Sequence, residues 1–134
     1  MSFGTALHVM LALAYNDGKT LNSGLLAESI GANAVTVRKV IGQLAQAGLV
    51  DTQPGPKGGA QLAKSPKSIT VDDVFDAVGR PAFVRGHDKA PNMQCDVSRC
   101  MPNVIERLND ALEDKASTLF RRTTLHHLVQ EEIQ

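Results

Sequence analysis

The chain has 134 residues, enough for one domain with a real core or for a small domain plus an appendage. Apolar residues make up 43% and charged residues 21%, with a formal net charge of zero, which excludes a disordered polyelectrolyte and leaves a globular protein. The N-terminus has neither a basic n-region nor an unbroken apolar run, which excludes a signal peptide or membrane span there and makes the cytoplasm the expected location.

Phe3, Ala6, Leu7, Met10, Leu11, Leu13 and Ala14 recur at helical spacing and predict a first helix ending near Asn16-Asp17-Gly18. His8 lies beside that stripe and reads as a surface or boundary residue. Asn22 or Ser23 can cap a second helix through Ile30, which Gly31 stops; Asn33 caps a third over 34–47, stopped by Gly48. In that third helix Val37, Val40, Ile41 and Leu44 form one apolar face, while Val35, Thr36, Arg38, Lys39 and Gln43 point elsewhere. Leu49-Val50 and Ala60-Gln61-Leu62 read as short strands joined through a Gly/Pro-rich tip, residues 53–59. Two short helices joined by a Gly turn and followed by a glycine wing present one rigid basic helix to a DNA groove.

Ser65-Pro66 breaks the chain, and Thr70 then caps a helix carrying Val71, Val74, Phe75 and Val78 that closes the winged domain's core. Residues 79–97, punctuated by Gly79, Pro81, Gly86 and Pro91, read mostly as loop. A long helix is expected after Pro102, with Cys100 and Met101 at its entry. Its apolar positions Ile105, Leu108, Leu112, Ala116 and Leu119 make a seam suited to another helix, widened by Val104, Ala111 and Phe120. About 30 Å of amphipathic helix far from a small core wants a partner. A symmetric dimer is the economical answer, and folding back onto its own domain is the alternative. A final short helix, capped at Thr124, carries Leu125, Leu128 and Val129. The fold class is therefore mainly α with a small β-hairpin. A winged helix-turn-helix domain occupies 1–80; a linker loop, long dimerisation helix and short C-terminal helix occupy 81–134.

Zero net charge hides an uneven distribution. Residues 34–67 carry Arg38, Lys39, Lys57, Lys64 and Lys67 against Asp51 alone, so positive charge collects on the third helix and wing. Arg38 and Lys39 suit guanine edges or phosphates, Thr36 and Gln43 suit adenine, phosphate or methyl contacts, and Lys57 suits a phosphate or the minor groove. No Phe, Tyr or Trp lies between Asn16 and Phe75, which argues against single-stranded nucleic acid, whose bases stack on aromatics. The glycine loop lacks G-x-x-x-x-G-K-[ST] spacing and is followed by a strand, so a nucleotide site fails.

Cys95 and Cys100, in NMQCDVSRCMP, are the only cysteines. They read either as ordinary reduced thiols or as sensor thiols, with Arg99 favouring thiolate at Cys100. An iron–sulfur or zinc site would need His87, an acidic residue or a second subunit besides these two thiolates, so no cofactor and no metal site are expected. Consecutive His126 and His127 point about 100° apart on a helix and make a poor chelating pair. No nucleophile–base arrangement emerges, and an enzyme is not expected. A winged helix used for protein–protein contact, or a metal-cluster-dependent sensor, are the alternatives to a DNA-binding regulator.

The pattern resembles the Rrf family of bacterial winged-helix regulators over essentially the whole chain. The resemblance rests on Val37-Arg38-Lys39-Val40-Ile41, Ala47-Gly48-Leu49-Val50, Gly58-Gly59 with Leu62-Ala63, and Ile69-Thr70-Val71 with Val74. That family includes the iron–sulfur cluster regulator, the nitric-oxide-sensing repressor and the cysteine-metabolism repressor. The resemblance implies a homodimer crossed at its long helices and bound to a palindromic double-stranded operator. It places Thr36, Arg38 and Lys39 in the major groove, and Lys57, Gly58 and Gly59 at the minor groove. Cluster-binding members carry three cysteines between wing and long helix; with two here, and with Asn92-x-x-Cys95-x-Val97, the resemblance implies a branch without a cluster. Ala60 also replaces the usual aromatic after the wing glycines. The expected protein is a transcriptional repressor with Cys95 and Cys100 as candidate sensor thiols.

Overall fold

A computed structural model describes residues 2–133. In chain order it contains α1 (Ser2–Tyr15), α2 (Ser23–Ile30), α3 (Ala34–Gln46), β1 (Val50–Gln53), β2 (Gly59–Leu62), a 3-10 turn (Pro66–Ser68), α4 (Val71–Ala77), α5 (Asp96–Arg121) and α6 (Leu125–Glu132).

Local side-chain chemistry starts the helices where the sequence predicts. Asn22 Oδ1 accepts from the Gly24 N–H and Asn33 Oδ1 from the Val35 N–H, each at 2.7 Å, satisfying donors that the first helical turn leaves unpaired. At α4 the cap is reciprocal. The Asp73 N–H donates to Thr70 Oγ1 at 3.1 Å, and the Thr70 N–H donates to Asp73 Oδ2 at 3.0 Å. Thr124 caps α6 one way only, its Oγ1 accepting from the His127 N–H at 3.1 Å.

The apolar stripe of α1 (Val9, Met10, Leu13) meets Leu26 of α2, Val37, Val40 and Leu44 of α3, Ile69, Val74 of α4, and Leu125 of α6 in one buried cluster. Each of these side chains is essentially removed from water, at about 1.5–3 kcal/mol apiece for a Leu, Ile, Val or Met. β1 and β2 pair antiparallel in the register Val50↔Leu62 to Gln53↔Gly59. β1 therefore begins one residue later and runs to Gln53, where the sequence suggests Leu49-Val50 and a tip that starts at 53. Leu21 bridges the other edge of β2: its N–H donates to the Ala60 carbonyl and its carbonyl accepts from the Ala60 N–H, both at 2.8 Å. The wing is thus pinned to the segment entering α2.

Two further expectations are corrected. First, α5 begins at Asp96, not after Pro102, which lies inside the helix. A proline there forfeits one intrahelical bond. The turn before it is held by the Arg99–Asp96 ion pair at 2.7 Å and by Ser98 Oγ, which accepts from the Asn92 N–H at 2.8 Å. Second, Phe120 does not widen an outward seam: its ring lies 5.7 Å from Phe3 and 5.5 Å from Phe75, closing the foot of α5 on the winged unit. Residues on both sides of 80/81 share one buried cluster. After α5 the chain returns: the Val71 N–H donates to the Thr123 carbonyl at 2.8 Å, the Leu125 N–H donates to the Ile69 carbonyl at 3.0 Å, and α6 packs on α1. Leu125 is fully buried because it fills the winged unit's core.

Candidate nucleic-acid interface

The third helix divides into an inward and an outward face. Val37, Val40, Ile41 and Leu44 are buried, while Val35, Thr36, Arg38 and Lys39 are exposed. Val35 is 65% exposed, on the same face as Arg38 and Lys39. Among the described residues, none of the ion pairs involves Arg38, Lys39 or Lys57. Their charges are not committed to internal carboxylates. Gln43 sits differently from the other candidates: it is half-buried, and its Oε1 is shielded without a hydrogen-bond partner. Of the polar residues predicted on this helix it is the least presented.

The wing is shaped by close backbone approach. The Gly58 N–H donates to the Gly55 carbonyl at 2.9 Å and turns the tip, leaving Lys57 exposed at its apex. A Cβ at Gly58 would overlap the Gln53 carbonyl, and one at Gly59 would overlap the Leu21 carbonyl. Both glycines are required by packing within the chain, so any DNA contact they make is through backbone and Lys57 supplies the side chain.

The predicted seam of α5 faces outward. Leu108 is 48% exposed, Leu112 43% and Leu119 57%, with Ile105 and Ala116 half-buried and no residue of the helix fully buried. Cys95 is the N-cap residue of α5 without a side-chain capping bond, and Cys100 lies in the second turn; both are exposed. Five helical positions separate them by about 140° and about 7.5 Å of rise. Among the described residues no three His, Cys, Asp or Glu side chains converge where a metal ion could be held. An open groove beside them, about 920 Å³, is bounded by the 86–92 loop and by Ser98, Met101, Pro102 and Ile105 of α5.

Sequence reasoning missed the residues that fasten α5 to the rest. Asn109 clamps the linker, its Oδ1 accepting from the Val84 N–H at 2.8 Å and its Nδ2 donating to the Val84 carbonyl at 2.9 Å. Arg80 bridges α4 and α5. Both act over long sequence separations that no local pattern announces.

Comparison with known proteins identifies the family. The model of the Rrf2 family, described as an iron-dependent transcriptional regulator, matches residues 2–131. YwgB of Bacillus subtilis (strain 168), described as an HTH-type transcriptional regulator, is 32% identical over 111 residues, covering 82% of this chain and 69% of its own. The oxidized form of CymR from Staphylococcus aureus superposes with a TM-score of 0.71 at 21% identity over 100% of this chain and 96% of its own. IscR of T. potens gives 0.71 at 20% identity, over 98% and 85%. At such identities the structures show the fold. Among the described residues no helix is long and apolar enough to cross a membrane. The chain belongs to the Rrf2 family: it is a DNA-binding transcriptional regulator, not an enzyme.

Proposed function

We propose that this Rrf2-family chain is a homodimeric repressor that reads a palindromic operator. Each copy would lay α3 in the major groove, with Arg38, Lys39, Thr36 and Val35 towards bases and phosphates and Gln43 at the edge of the contact, and would set Lys57, Gly58 and Gly59 at the adjacent minor groove. The observation that carries this reading is the outward face of α3, where two cations, a hydroxyl and an apolar side chain stand exposed without internal partners. The seam Ile105, Leu108, Leu112, Ala116 and Leu119 supports dimerisation through α5, since an apolar stripe this long is rarely left in water. A two-fold axis through it would present two reader helices about 34 Å apart on one face of the duplex. Repression is the simplest outcome of this reading, since a dimer seated on a promoter blocks it by occupancy and needs no further contact.

The donor set does not fit an iron–sulfur cluster. Two cysteines on divergent sides of one helical end supply too few thiolates, so we assign no cofactor and route nothing through one. Cys95 and Cys100 instead suit a thiol-responsive role, exposed where the linker enters the dimer helix. Gel shift on the chain's own promoter, with and without Arg38→Ala, tests the reading. Loss of sequence-selective binding in the variant supports it, and unchanged affinity and selectivity refute it.

A further inference from the structure

Arg80 is the one described non-glycine residue with positive φ, at 51°. A side chain in this region is disfavoured, and such a conformation persists where surrounding contacts hold it. Following Gly79 at φ 86°, it reverses the chain as it leaves α4, and its N–H donates to the Phe75 carbonyl at 2.9 Å.

The reversal places the guanidinium between two helices. Towards α5, Nε donates to Glu113 Oε1 and Nη2 to Ser117 Oγ, both at 2.6 Å. Towards α4, Nη2 donates to Asp72 Oδ1 at 3.1 Å, Asp76 Oδ1 lies 3.7 Å from Nη1, and the cation stands 4.9 Å from the centre of the Phe75 ring. Hydrogen bonds to Glu113 and then Asp72 raise the pKa of this guanidinium above its ordinary value. Exposed single ion pairs contribute little. Here one planar fork, only a quarter exposed, engages four side chains and a ring, a geometry an ammonium group cannot reproduce.

We propose that Arg80 is a positioning residue for operator recognition. By fixing α4 against the middle of α5, it sets the angle at which each copy carries its reader helix away from the dimer helix, and therefore the half-site spacing the dimer accepts. Val74 of α4 lies in the same buried cluster as Val37 and Val40 of α3, so a tilt of α4 is a tilt of the reader. This role rests on the dimeric reading above.

The test compares the unaltered protein with R80G, R80K and E113Q. Glycine adopts the left-handed turn at no steric cost, so R80G removes the ties and spares the backbone. E113Q, on a half-exposed surface of α5, carries the same comparison should R80G fail to fold. Three kinds of probe are used: a palindromic duplex selected from random DNA by the unaltered protein, that duplex with its centre lengthened or shortened by one base pair, and a single half-site. The unaltered dimer should lose about tenfold or more in affinity when the spacing changes, as expected for a mismatched site. R80G should lose about threefold or less, with R80K and E113Q between, while half-site affinity stays within about twofold for all. Spacing discrimination unchanged in R80G, or an equal loss on half-site and full site, overturns the role of Arg80 alone. An unaltered protein that selects no spaced palindrome overturns the dimeric reading and this role together.

Discussion

Gly59 lies against Leu21 so closely that a Cβ on Gly59 would occupy the space of the Leu21 carbonyl oxygen, which already accepts the Ala60 N–H at 2.8 Å. The wing is therefore not a free flap. It is docked on the segment that enters α2, and its direction relative to α3 is set by a backbone contact only glycine permits. Gly59→Ala must push β2 away from Leu21, at about 1–3 kcal/mol. Urea unfolding should show that loss. Operator affinity should fall with it, since the substitution moves Lys57 without removing it.

On the reader helix the expected losses differ by residue. Arg38→Ala should weaken operator binding by about 1–3 kcal/mol and relax preference at one base position, if the guanidinium reads a base edge. Lys39→Ala should weaken all duplexes alike and flatten the salt dependence by about one unit of slope, as loss of a phosphate contact does. Both side chains are exposed, so thermal stability should not move. Anisotropy titrations on matched and scrambled duplexes separate the two.

Much of this arrangement is legible in the sequence because it is local. Asn22, Asn33, Thr70 and Thr124 cap the helices they precede, and Gly31 ends α2 in the left-handed conformation that its missing Cβ allows. The inward face of α3 follows directly from 3.6-residue periodicity. What escapes the sequence is non-local or exceptional. Pro102 resembles a helix start, yet α5 runs through it, because one missing bond is outweighed by the anchored turn before it. Leu125 reads as part of an appendage but completes the winged core, since nothing in its own segment reveals that the chain comes back. Arg80 finds Glu113 and Ser117 at separations of 33 and 37 residues, beyond any motif. Gln43 falls on the predicted outer surface, but packing turns its oxygen inward.

The outward seam of α5 makes a further prediction. Leu112→Glu places a carboxylate in the middle of the stripe formed with Leu108 and Leu119, where a symmetric pairing brings like charges together in apolar surroundings. Sedimentation should show dimer for the unaltered chain and monomer for the variant. Circular dichroism should stay close to unchanged, because Leu112 contributes nothing to the winged core.

The thiols should behave separately. A disulfide needs Cα atoms within about 7 Å and converging side chains, which residues five apart on one helical end do not supply. Mild peroxide should therefore oxidise Cys95 and Cys100 singly, or link two chains, and should give no bond within one chain while α5 stays intact. Mass spectrometry of non-reduced digests checks this. Under the thiol-responsive reading, Cys95→Ser, Cys100→Ser or the pair removes any peroxide effect on DNA affinity.

In the proposed complex, two copies of one cationic helix grip a single duplex. Titrating a labelled, selected duplex with the protein between about 50 and 200 mM salt measures stoichiometry and charge neutralisation together. Two chains per duplex are predicted, with log affinity falling against log salt at a slope steeper than about −3.5, corresponding to at least two phosphates neutralised by each copy. One chain per duplex, or an affinity that barely changes with salt, would contradict it.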